Sequence, residues 1–329
     1  MSTRRTVLSV ALVTAPAFYF AKAFQNTPNA PRESRIPVGT VSLYAREAGQ
    51  GPPVIVLHGG PDFDQGYLLP DLDRLADACR LIYYDQRGRG RSADRVRPED
   101  VTLASDIDDL DRVRQYFHLE SCALLGHSWG TVLALEYALR HPERVSRLIL
   151  MNPAPASAGD LVLFRKTYSA KLGADLIRQR EIVATTAYKE GDPDAVVARY
   201  RLHFKPALAR REDYEKLMAV MKGRFVSQGS EGILKARAVE DQLTRDTWEM
   251  DGYDLLPRLR RLNIPTLVIY GDHDFLPPEV ATHIAQAIPD ARMITLPGCG
   301  HFTYLECPLE VHQAFVGFLS SQPGAAPGR

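Results

Sequence analysis

The sequence predicts an α/β fold: a mostly parallel central sheet with flanking helices and a helical cap insert above one edge. Two observations lead to this prediction. Short apolar segments alternate with helical patterns along most of the chain, as they do where helices connect the strands of a parallel sheet. Between residues 154 and 253 the alternation stops, and only charge-rich helical patterns remain. The chain has 329 residues, of which 45% are apolar, so it can bury a large core.

Six short apolar segments are the predicted strands of this sheet. Most of them run into glycine-rich or polar residues at their carboxyl ends, which is the edge where open α/β sheets bind ligands. Helices are predicted between them from apolar residues at steps of three and four, for example from Leu103 to Phe117. The strand segments are residues 54–57, 81–84, 122–125, 148–151, 266–270 and 293–296.

The clearest functional motif follows the third of these strands. Residues 126–130 read Gly-His-Ser-Trp-Gly and lie between an apolar strand and a helical pattern. In a G-x-S-x-G motif the glycines allow a sharp turn, and the serine lies near a helix N-terminus, where negative charge is favoured. The motif predicts that Ser128 is a nucleophile.

A base and an acid for this serine follow later strands. His301 comes after a Pro-Gly-Cys-Gly segment and is the predicted base, while Asp274 is the predicted acid that orients it. The chain order serine, aspartate, histidine is that of one known group of hydrolases. Asp272 lies closer to the strand end and competes for the acid role, for which we favour Asp274. His127 and His273 are interpreted as structural neighbours of the site.

An oxyanion hole requires two backbone N–H groups directed at the developing negative charge. One is predicted to belong to Trp129, the residue after the nucleophile. The other should come from residues 58–61, His-Gly-Gly-Pro, at the end of the first predicted strand. We favour Gly60 for this role, with Gly59 as the alternative.

Together these motifs resemble those of the proline iminopeptidase-like serine peptidases, a family of the α/β-hydrolase superfamily. The resemblance implies an α/β-hydrolase fold, with its core over residues 34–153 and 254–320. The loss of alternation over residues 154–253 predicts that this segment is a cap, with a helical layer that has no role in binding as the alternative. The resemblance covers most of the core and does not extend to the cap. The matching segments are residues 58–61, 85–92, 126–131, 141–145, 271–274 and 298–301.

Two features of the chain bear on its substrate. Asp62 follows the His-Gly-Gly-Pro segment, where the family usually has glycine. We predict that Asp62, beside Gly59, contacts the substrate and that its carboxylate binds a substrate amine, with a side chain that faces water as the alternative. The resemblance also implies that cap glutamates hold the free α-amino group of the substrate, because an ammonium in a partly dry pocket needs a carboxylate partner. No cap motif selects these residues, and we choose Glu212 and Glu240 among several acids. A solvated helix face is the alternative for them.

The expected function is hydrolysis through an acyl-enzyme, most simply as an aminopeptidase that releases N-terminal residues from small peptides. A carboxylesterase or lactonase is the alternative, since the same three residues cleave esters. A non-catalytic ligand-binding protein on a hydrolase scaffold is the alternative from another class. A serine nucleophile argues against epoxide hydrolases and haloalkane dehalogenases, which need a carboxylate there.

The expected ligand is a small molecule or short peptide, and no metal or organic cofactor is expected. The formal net charge is zero, which gives no electrostatic support for nucleic-acid binding.

The N-terminus predicts export. Two arginines precede an apolar stretch and an Ala-Lys-Ala segment, so residues 1–23 are predicted to be a signal peptide of twin-arginine type. The mature protein is then expected in the periplasm or outside the cell, without a stable membrane partner. An uncleaved anchor, a short spanning helix and a cytoplasmic extension are the alternatives. Residues 24–33 are predicted to be a linker and residues 321–329 a flexible tail.

The four cysteines form no zinc pattern. Cys79 and Cys122 border apolar segments and are predicted to be buried thiols. A disulfide between Cys299 and Cys307 is compatible with their spacing, which does not establish it.

Overall fold

The computed structural model describes residues 30–321. Its eight strands form one sheet and are β1 (Arg32–Val38), β2 (Val41–Ala48), β3 (Pro53–Leu57), β4 (Arg80–Tyr84), β5 (Cys122–His127), β6 (Val145–Met151), β7 (Thr266–Gly271) and β8 (Ala291–Leu296). They lie in the order β1-β2-β4-β3-β5-β6-β7-β8. The pairs from β4 to β8 are parallel, whereas β1 pairs with β2 and β2 with β4 in antiparallel fashion.

The six predicted strands are confirmed as β3 to β8. They could be recognised as apolar runs because helices cover both faces of the sheet, so that β5 and β7 are buried at every position. Alternate residues of β3 belong to two different core clusters. Val54 and Val56 face one cluster, and Ile55 and Leu57 face the other.

The sequence did not reveal β1 and β2, which form the antiparallel edge. Only Ile36 is fully buried in β1, so the strand lacks a continuous apolar pattern. In β2, Arg46 pairs with Asp73 and Glu47 pairs with Arg80. The predicted linker over residues 24–33 is therefore wrong at its end, because β1 begins at Arg32.

Eleven α-helices lie within residues 30–321. They are α1 (Leu103–Tyr116), α2 (Trp129–Arg140), α3 (Ala158–Leu172), α4 (Asp175–Ala184), α5 (Thr186–Lys189), α6 (Pro193–Phe204), α7 (Arg211–Arg245), α8 (Leu256–Leu259), α9 (Pro278–Ala287), α10 (Thr303–Glu306) and α11 (Pro308–Ser320). Thr102 begins α1 with a capping box, in which its side chain and that of Ser105 exchange hydrogen bonds with each other's backbone N–H.

The helices α3 to α7 form an insert between β6 and β7. Its two ends meet, because Ser157 and Asp254 form an isolated antiparallel bridge and the Ala158 N–H donates to the Tyr253 carbonyl oxygen at 2.9 Å. The insert therefore begins and ends beside the same edge of the sheet. Its longest helix, α7, is interrupted at Gly229, whose φ of 64° is outside the helical range.

Cys299 and Cys307 form a disulfide with their Cα atoms 6.2 Å apart. Cys79 and Cys122 are free and buried, as predicted, and burial raises the pKa of each thiol to about 12.

Over residues 30–321, none of the helices combines the length and apolar character needed to cross a bilayer. The predicted signal peptide, residues 24–29 of the linker and residues 322–329 of the tail lie outside the described residues.

Candidate active site

The predicted nucleophile lies where β5 ends and α2 begins. Ser128 has a φ of 54° and a ψ of −122°, which residues with a side chain rarely adopt. Its neighbours allow close packing: a Cβ on Gly126 would lie 2.5 Å from the Gly130 carbonyl oxygen, and a Cβ on Gly130 would overlap the Leu57 carbonyl oxygen. The structure therefore contains the sharp strand-to-helix turn that the motif predicts, and Ser128 faces a cavity beneath the insert.

His301 and Asp274 form a buried pair at the same edge of the sheet. His301 Nδ1 lies 3.0 Å from both carboxylate oxygens of Asp274. The carboxylate also accepts hydrogen bonds from the Leu276 backbone N–H at 2.9 Å and the Asn152 side chain at 2.8 Å. This fixes Asp274 as the acceptor for Nδ1–H, so Nε2 is the ring nitrogen that His301 can offer to Ser128 across their shared cavity.

Asp272, the competing acid, does not contact His301. Its carboxylate accepts from the Gly298 backbone N–H at 2.8 Å and lies 2.6 Å from Nδ1 of His273. The side chain of Asp272 is 40% exposed and that of His273 is 59% exposed. The structure therefore pairs the predicted base with Asp274 and leaves Asp272 at the surface.

The loop that carries His301 is fixed on both sides. The Cys299–Cys307 disulfide closes it, and the buried Glu306 carboxylate accepts hydrogen bonds from the backbone N–H groups of Gly300 and Ala209, at 2.5 and 2.7 Å. Burial raises the pKa of Glu306. These contacts hold the histidine backbone against the insert and the end of the sheet.

The structure distinguishes between the two glycines proposed for the oxyanion hole. The Gly59 N–H donates to the Tyr67 hydroxyl at 2.8 Å and is therefore occupied. Gly60 lines the cavity together with Ser128. Trp129 is the first residue of α2, where a backbone N–H has no partner within the helix. The Gly60 and Trp129 N–H groups are thus the pair suited to receive an oxyanion.

The cavity in front of Ser128 has a volume of about 150 Å³ and is mostly aromatic. Its walls come from the loop after β3, the insert and the loops that carry Asp274 and His301. A substrate group that enters it therefore leaves water for an apolar environment. The phenylalanine, tyrosine and tryptophan side chains on these walls are those of Phe63, Tyr67, Phe164, Tyr200, Phe204, Trp248, Phe275 and Phe302.

Ionisable side chains line one part of this cavity. Asp62 is 6% exposed and accepts a hydrogen bond from the Tyr200 hydroxyl at 2.6 Å. Glu240, on α7, also lines the cavity, and within residues 30–321 it has no hydrogen bond or ion pair. Burial, followed by the Asp62 carboxylate, raises the pKa of Glu240 to about 8. Burial likewise raises the pKa of Asp62.

Arg199, on α6, brings a positive charge to the same cavity. Its guanidinium lies 4.7 Å from the centre of the Tyr200 ring. It lowers the pKa values of Asp62 and Glu240, against the larger effect of burial. Within the described chain, no group of three or more His, Cys, Asp or Glu side chains is arranged to hold a metal ion.

Glu212, the other predicted substrate contact in the cap, is placed elsewhere, and that prediction is wrong. It is exposed near the start of α7 and lines a shallow surface depression with Arg210, Arg211 and Glu215. Glu240 lies near the opposite end of the same helix. Only the packing of α7 over the sheet decides which of the two acids reaches the cavity.

Sequence reasoning missed Arg199, Tyr200 and Asn152. Arg199 and Tyr200 lie in the cap, where no motif was available, although an arginine next to a tyrosine in an amphipathic helix is a weak signal. Asn152 directly follows β6. A polar residue at the carboxyl end of a parallel strand is a recognisable signal for a site, and this one was overlooked.

Comparisons with known proteins agree with this architecture. Residues 52–308 match the family described as the alpha/beta hydrolase fold. The chain is 30% identical to a proline iminopeptidase of Heyndrickxia coagulans over 288 residues, which cover 84% of this chain and 93% of that protein.

Solved structures show the same relationship. The crystal structure of a proline iminopeptidase from Mycobacterium smegmatis is 25% identical, with a TM-score of 0.64, and the match covers 88% of this chain and 97% of that one. Est816, described as an N-acyl homoserine lactone degrading enzyme, shares the fold at 21% identity and a TM-score of 0.63, over 87% of this chain and 100% of that one. The chain therefore belongs to the α/β-hydrolase family, among its proline iminopeptidase-like members, and is a hydrolase.

Proposed function

We propose that the protein is a serine hydrolase that acts through an acyl-enzyme and releases N-terminal residues, proline among them, from small peptides. The observation that carries this proposal is the convergence of Asp62 and Glu240 on the cavity that Ser128 and His301 also line. A nucleophile and an acidic anchor in one small cavity suit a substrate whose cleaved carbonyl lies close to a free amine.

In the first half of the reaction, the Ser128 hydroxyl attacks the substrate carbonyl carbon while His301 Nε2 takes the hydroxyl proton. Asp274 holds Nδ1–H and stabilises the imidazolium that forms. The carbonyl oxygen becomes an oxyanion and accepts hydrogen bonds from the Gly60 and Trp129 N–H groups. The imidazolium then gives its proton to the leaving amine, the C–N bond breaks, and an ester to Ser128 remains.

In the second half, a water molecule takes the place of the leaving group. His301 removes a proton from this water, whose oxygen attacks the ester carbon. The same two N–H groups stabilise the second oxyanion, and the proton returns to the Ser128 oxygen as the C–O bond breaks. The products are the released residue as a free acid and the regenerated hydroxyl.

Charge in the cavity supports recognition of an ammonium. When all three groups are ionised, Asp62 and Glu240 carry two negative charges and Arg199 one positive charge, which leaves one negative charge. One substrate ammonium balances this charge. Because the cavity is partly buried, the ion pair is stronger here than in water.

The size of the cavity supports a small N-terminal residue. A volume of about 150 Å³ is close to that of protein cavities that bind one benzene molecule. A pyrrolidine ring is of this size, and the aromatic walls suit its methylene groups.

The experiment compares the wild type with three variants on proline p-nitroanilide. Ser128→Ala should lose nearly all activity. Glu240→Gln should lower kcat/KM by about 10- to 100-fold, because it removes one charge-assisted hydrogen bond, which contributes about 1.5–3 kcal/mol. Glu212→Gln is the matched control on the same helix and should stay within about twofold of the wild type. Equal effects of the two glutamate variants would contradict the anchor role, and activity in Ser128→Ala would contradict the nucleophile.

An esterase acting on small neutral esters is the second candidate, and one observation favours it. With a pKa of about 8, Glu240 carries a proton at neutral pH in the free enzyme, so the acidic part of the cavity is then close to neutral. A neutral acyl group could then enter without an unpaired charge. Short p-nitrophenyl esters provide the test: cleavage of these esters without cleavage of free-amine peptides would select this candidate.

We further propose that the protein is exported. The Arg-Arg pair and apolar stretch at the N-terminus support export, and so does the Cys299–Cys307 disulfide. Disulfides persist in oxidising compartments and are rare in the cytosol.

A further inference from the structure

Three consecutive hydrogen bonds connect the oxyanion loop to the loop of the base. The Gly59 N–H donates to the Tyr67 hydroxyl oxygen at 2.8 Å. That oxygen lies 2.7 Å from Nδ1 of His127, and Nε2 of His127 lies 2.9 Å from the His301 carbonyl oxygen. His127 is also the residue directly before Ser128, so the three bonds connect the oxyanion loop, the turn of the nucleophile and the loop of the base.

The hydrogen bonds that run from Gly59 through Tyr67 and His127 to His301 are called the relay below. The groups at its two ends determine where each proton lies. A backbone N–H can only donate and a carbonyl oxygen can only accept. His127 must therefore carry its proton on Nε2, which donates to His301. Its Nδ1 is then an acceptor and receives the Tyr67 hydroxyl proton. Burial lowers the pKa of His127 to about 3, so the ring stays neutral across the physiological range.

The two side chains in the middle of the relay, those of Tyr67 and His127, lie against the reacting groups. Tyr67 and His127 line the cavity with Ser128. A Cβ added to Gly59 would lie 2.9 Å from both the Ser128 Cβ and the Tyr67 hydroxyl, so the oxyanion loop is packed directly on the nucleophile. The Tyr67 ring packs on His127 at 5.5 Å, and His127 packs on the His301 ring at 5.1 Å.

We propose that Tyr67 and His127 are positioning residues that hold the oxyanion loop and the base loop in register around Ser128. This inference rests on the serine hydrolase function proposed above. Because Tyr67 occupies the Gly59 N–H, the Gly60 N–H is the one presented to the cavity. The relay uses no substrate atom, so the oxyanion hole is formed before substrate arrives.

The same relay excludes a chemical role for His127. Both of its ring nitrogens are engaged, Nδ1 by the tyrosine hydroxyl and Nε2 by the carbonyl oxygen. A proton carrier needs a nitrogen open to the substrate. His127 therefore acts through its neighbours and does not take part in proton transfer.

The test removes the central hydroxyl. Tyr67→Phe keeps the ring and loses both hydrogen bonds of the hydroxyl, and we expect kcat to fall by about 10- to 100-fold, as for small misplacements of reacting groups. The inhibition constant of free proline should change by less than about twofold, since ground-state contacts are kept. Tyr137→Phe is the matched control, because it removes one tyrosine hydrogen bond, to Asp111 at 2.8 Å, outside the cavity. It should keep kcat while losing a similar amount of thermal stability.

A second pair of variants tests His127. His127→Gln retains an acceptor and a donor and should keep more activity than His127→Leu, which retains neither. Nitrogen NMR of the wild type should show a neutral His127 with the proton on Nε2 between pH 5 and 9.

Equal kcat in Tyr67→Phe and the wild type would overturn the proposal, as would protonation of His127 on Nδ1 or its titration near pH 6.5. These results are separate from failure of the proposed function. If the proposed function fails, Ser128→Ala and the wild type would be equally inactive on all substrates, whereas the NMR spectrum of His127 would still show the proton on Nε2.

Discussion

Asn152 donates a hydrogen bond from its side-chain amide to the Asp274 carboxylate at 2.8 Å. The same nitrogen lies 3.1 Å from the Gly300 carbonyl oxygen, and the Asn152 oxygen accepts from the Thr303 hydroxyl at 2.7 Å. Asn152 is fully buried and has a φ of 48°, a strained conformation for a residue with a side chain. It thus joins the acid that follows β7 to the loop of His301, from its own position at the end of β6.

The first prediction concerns this contact. Asn152→Asp is almost isosteric, but it replaces the donor with a second carboxylate beside Asp274. Hydrogen bonds to charged groups contribute about 1.5–3 kcal/mol, so we expect kcat to fall by about 10- to 100-fold. Steady-state kinetics and a melting curve check this. Thr303→Val, which leaves the bond to Asp274 intact, is the control and should have the smaller effect. A kcat within twofold of the wild type in a folded Asn152→Asp variant would be inconsistent with this role.

The second prediction is a pH dependence set by Glu240. Its pKa is raised to about 8, so below pH 8 the free enzyme holds a proton there that a substrate ammonium must displace. For proline p-nitroanilide, kcat/KM should therefore rise from pH 6 to about 8 and fall again where the substrate amine loses its proton.

Dividing this kcat/KM by that of a p-nitrophenyl ester cancels the pH dependence of the steps that the two substrates share. The ratio should rise between pH 6 and 8 in the wild type and stay flat in Glu240→Gln. A flat ratio in the wild type would argue against an ionised Glu240 as the amine anchor.

The third prediction concerns the Cys299–Cys307 disulfide, which encloses His301. A disulfide that closes a short loop contributes about 2–3 kcal/mol, so the double variant Cys299→Ser/Cys307→Ser should melt several degrees lower. The activity should fall as well, because the loop carries the base. Calorimetry and kinetics measure the two effects, with reduced and oxidised wild type as controls. Unchanged activity in the double variant would show that Glu306 and the insert hold the loop without the disulfide.

The fourth prediction concerns export. If residues 1–23 are a signal peptide, mass spectrometry of the protein from its native cell should show a mature N-terminus near Ala23. The protein should be found in the periplasmic or extracellular fraction. An intact Met1 in the cytosolic fraction would contradict export.

The parts of the molecule that the sequence made predictable share a physical cause. The strands β3 to β7 lie inside the sheet and are mostly buried on both faces, so each contains an apolar run. The edge strand β8 is only partly buried and was recognised from the short apolar segment at its end. The turn at Ser128 is visible because Gly126 and Gly130 are required where the backbone of β3, β5 and α2 comes close. Local sequence determines both features.

The parts that escaped prediction depend on tertiary packing. The edge strand β1 exposes most of its residues, and β2 contains Arg46 and Glu47, whose charges pair with Asp73 and Arg80, so both strands resemble loops in the sequence. Glu240 reaches the cavity and Glu212 does not, although both lie on α7, because the path of that helix over the sheet decides which end approaches Ser128. The position of Arg199 and Tyr200 at the cavity also depends on how the insert packs over the sheet.

The central claim is that Ser128 cleaves an amide beside a free amine held by Asp62 and Glu240. Its most direct test compares kcat/KM of the wild type for proline p-nitroanilide and for N-acetylproline p-nitroanilide. Acetylation removes the positive charge and keeps the scissile bond, so we predict a loss of at least about 100-fold from a contact of about 3 kcal/mol. Equal rates on the two substrates, both abolished in Ser128→Ala, would show a serine hydrolase without amine recognition and would contradict the account.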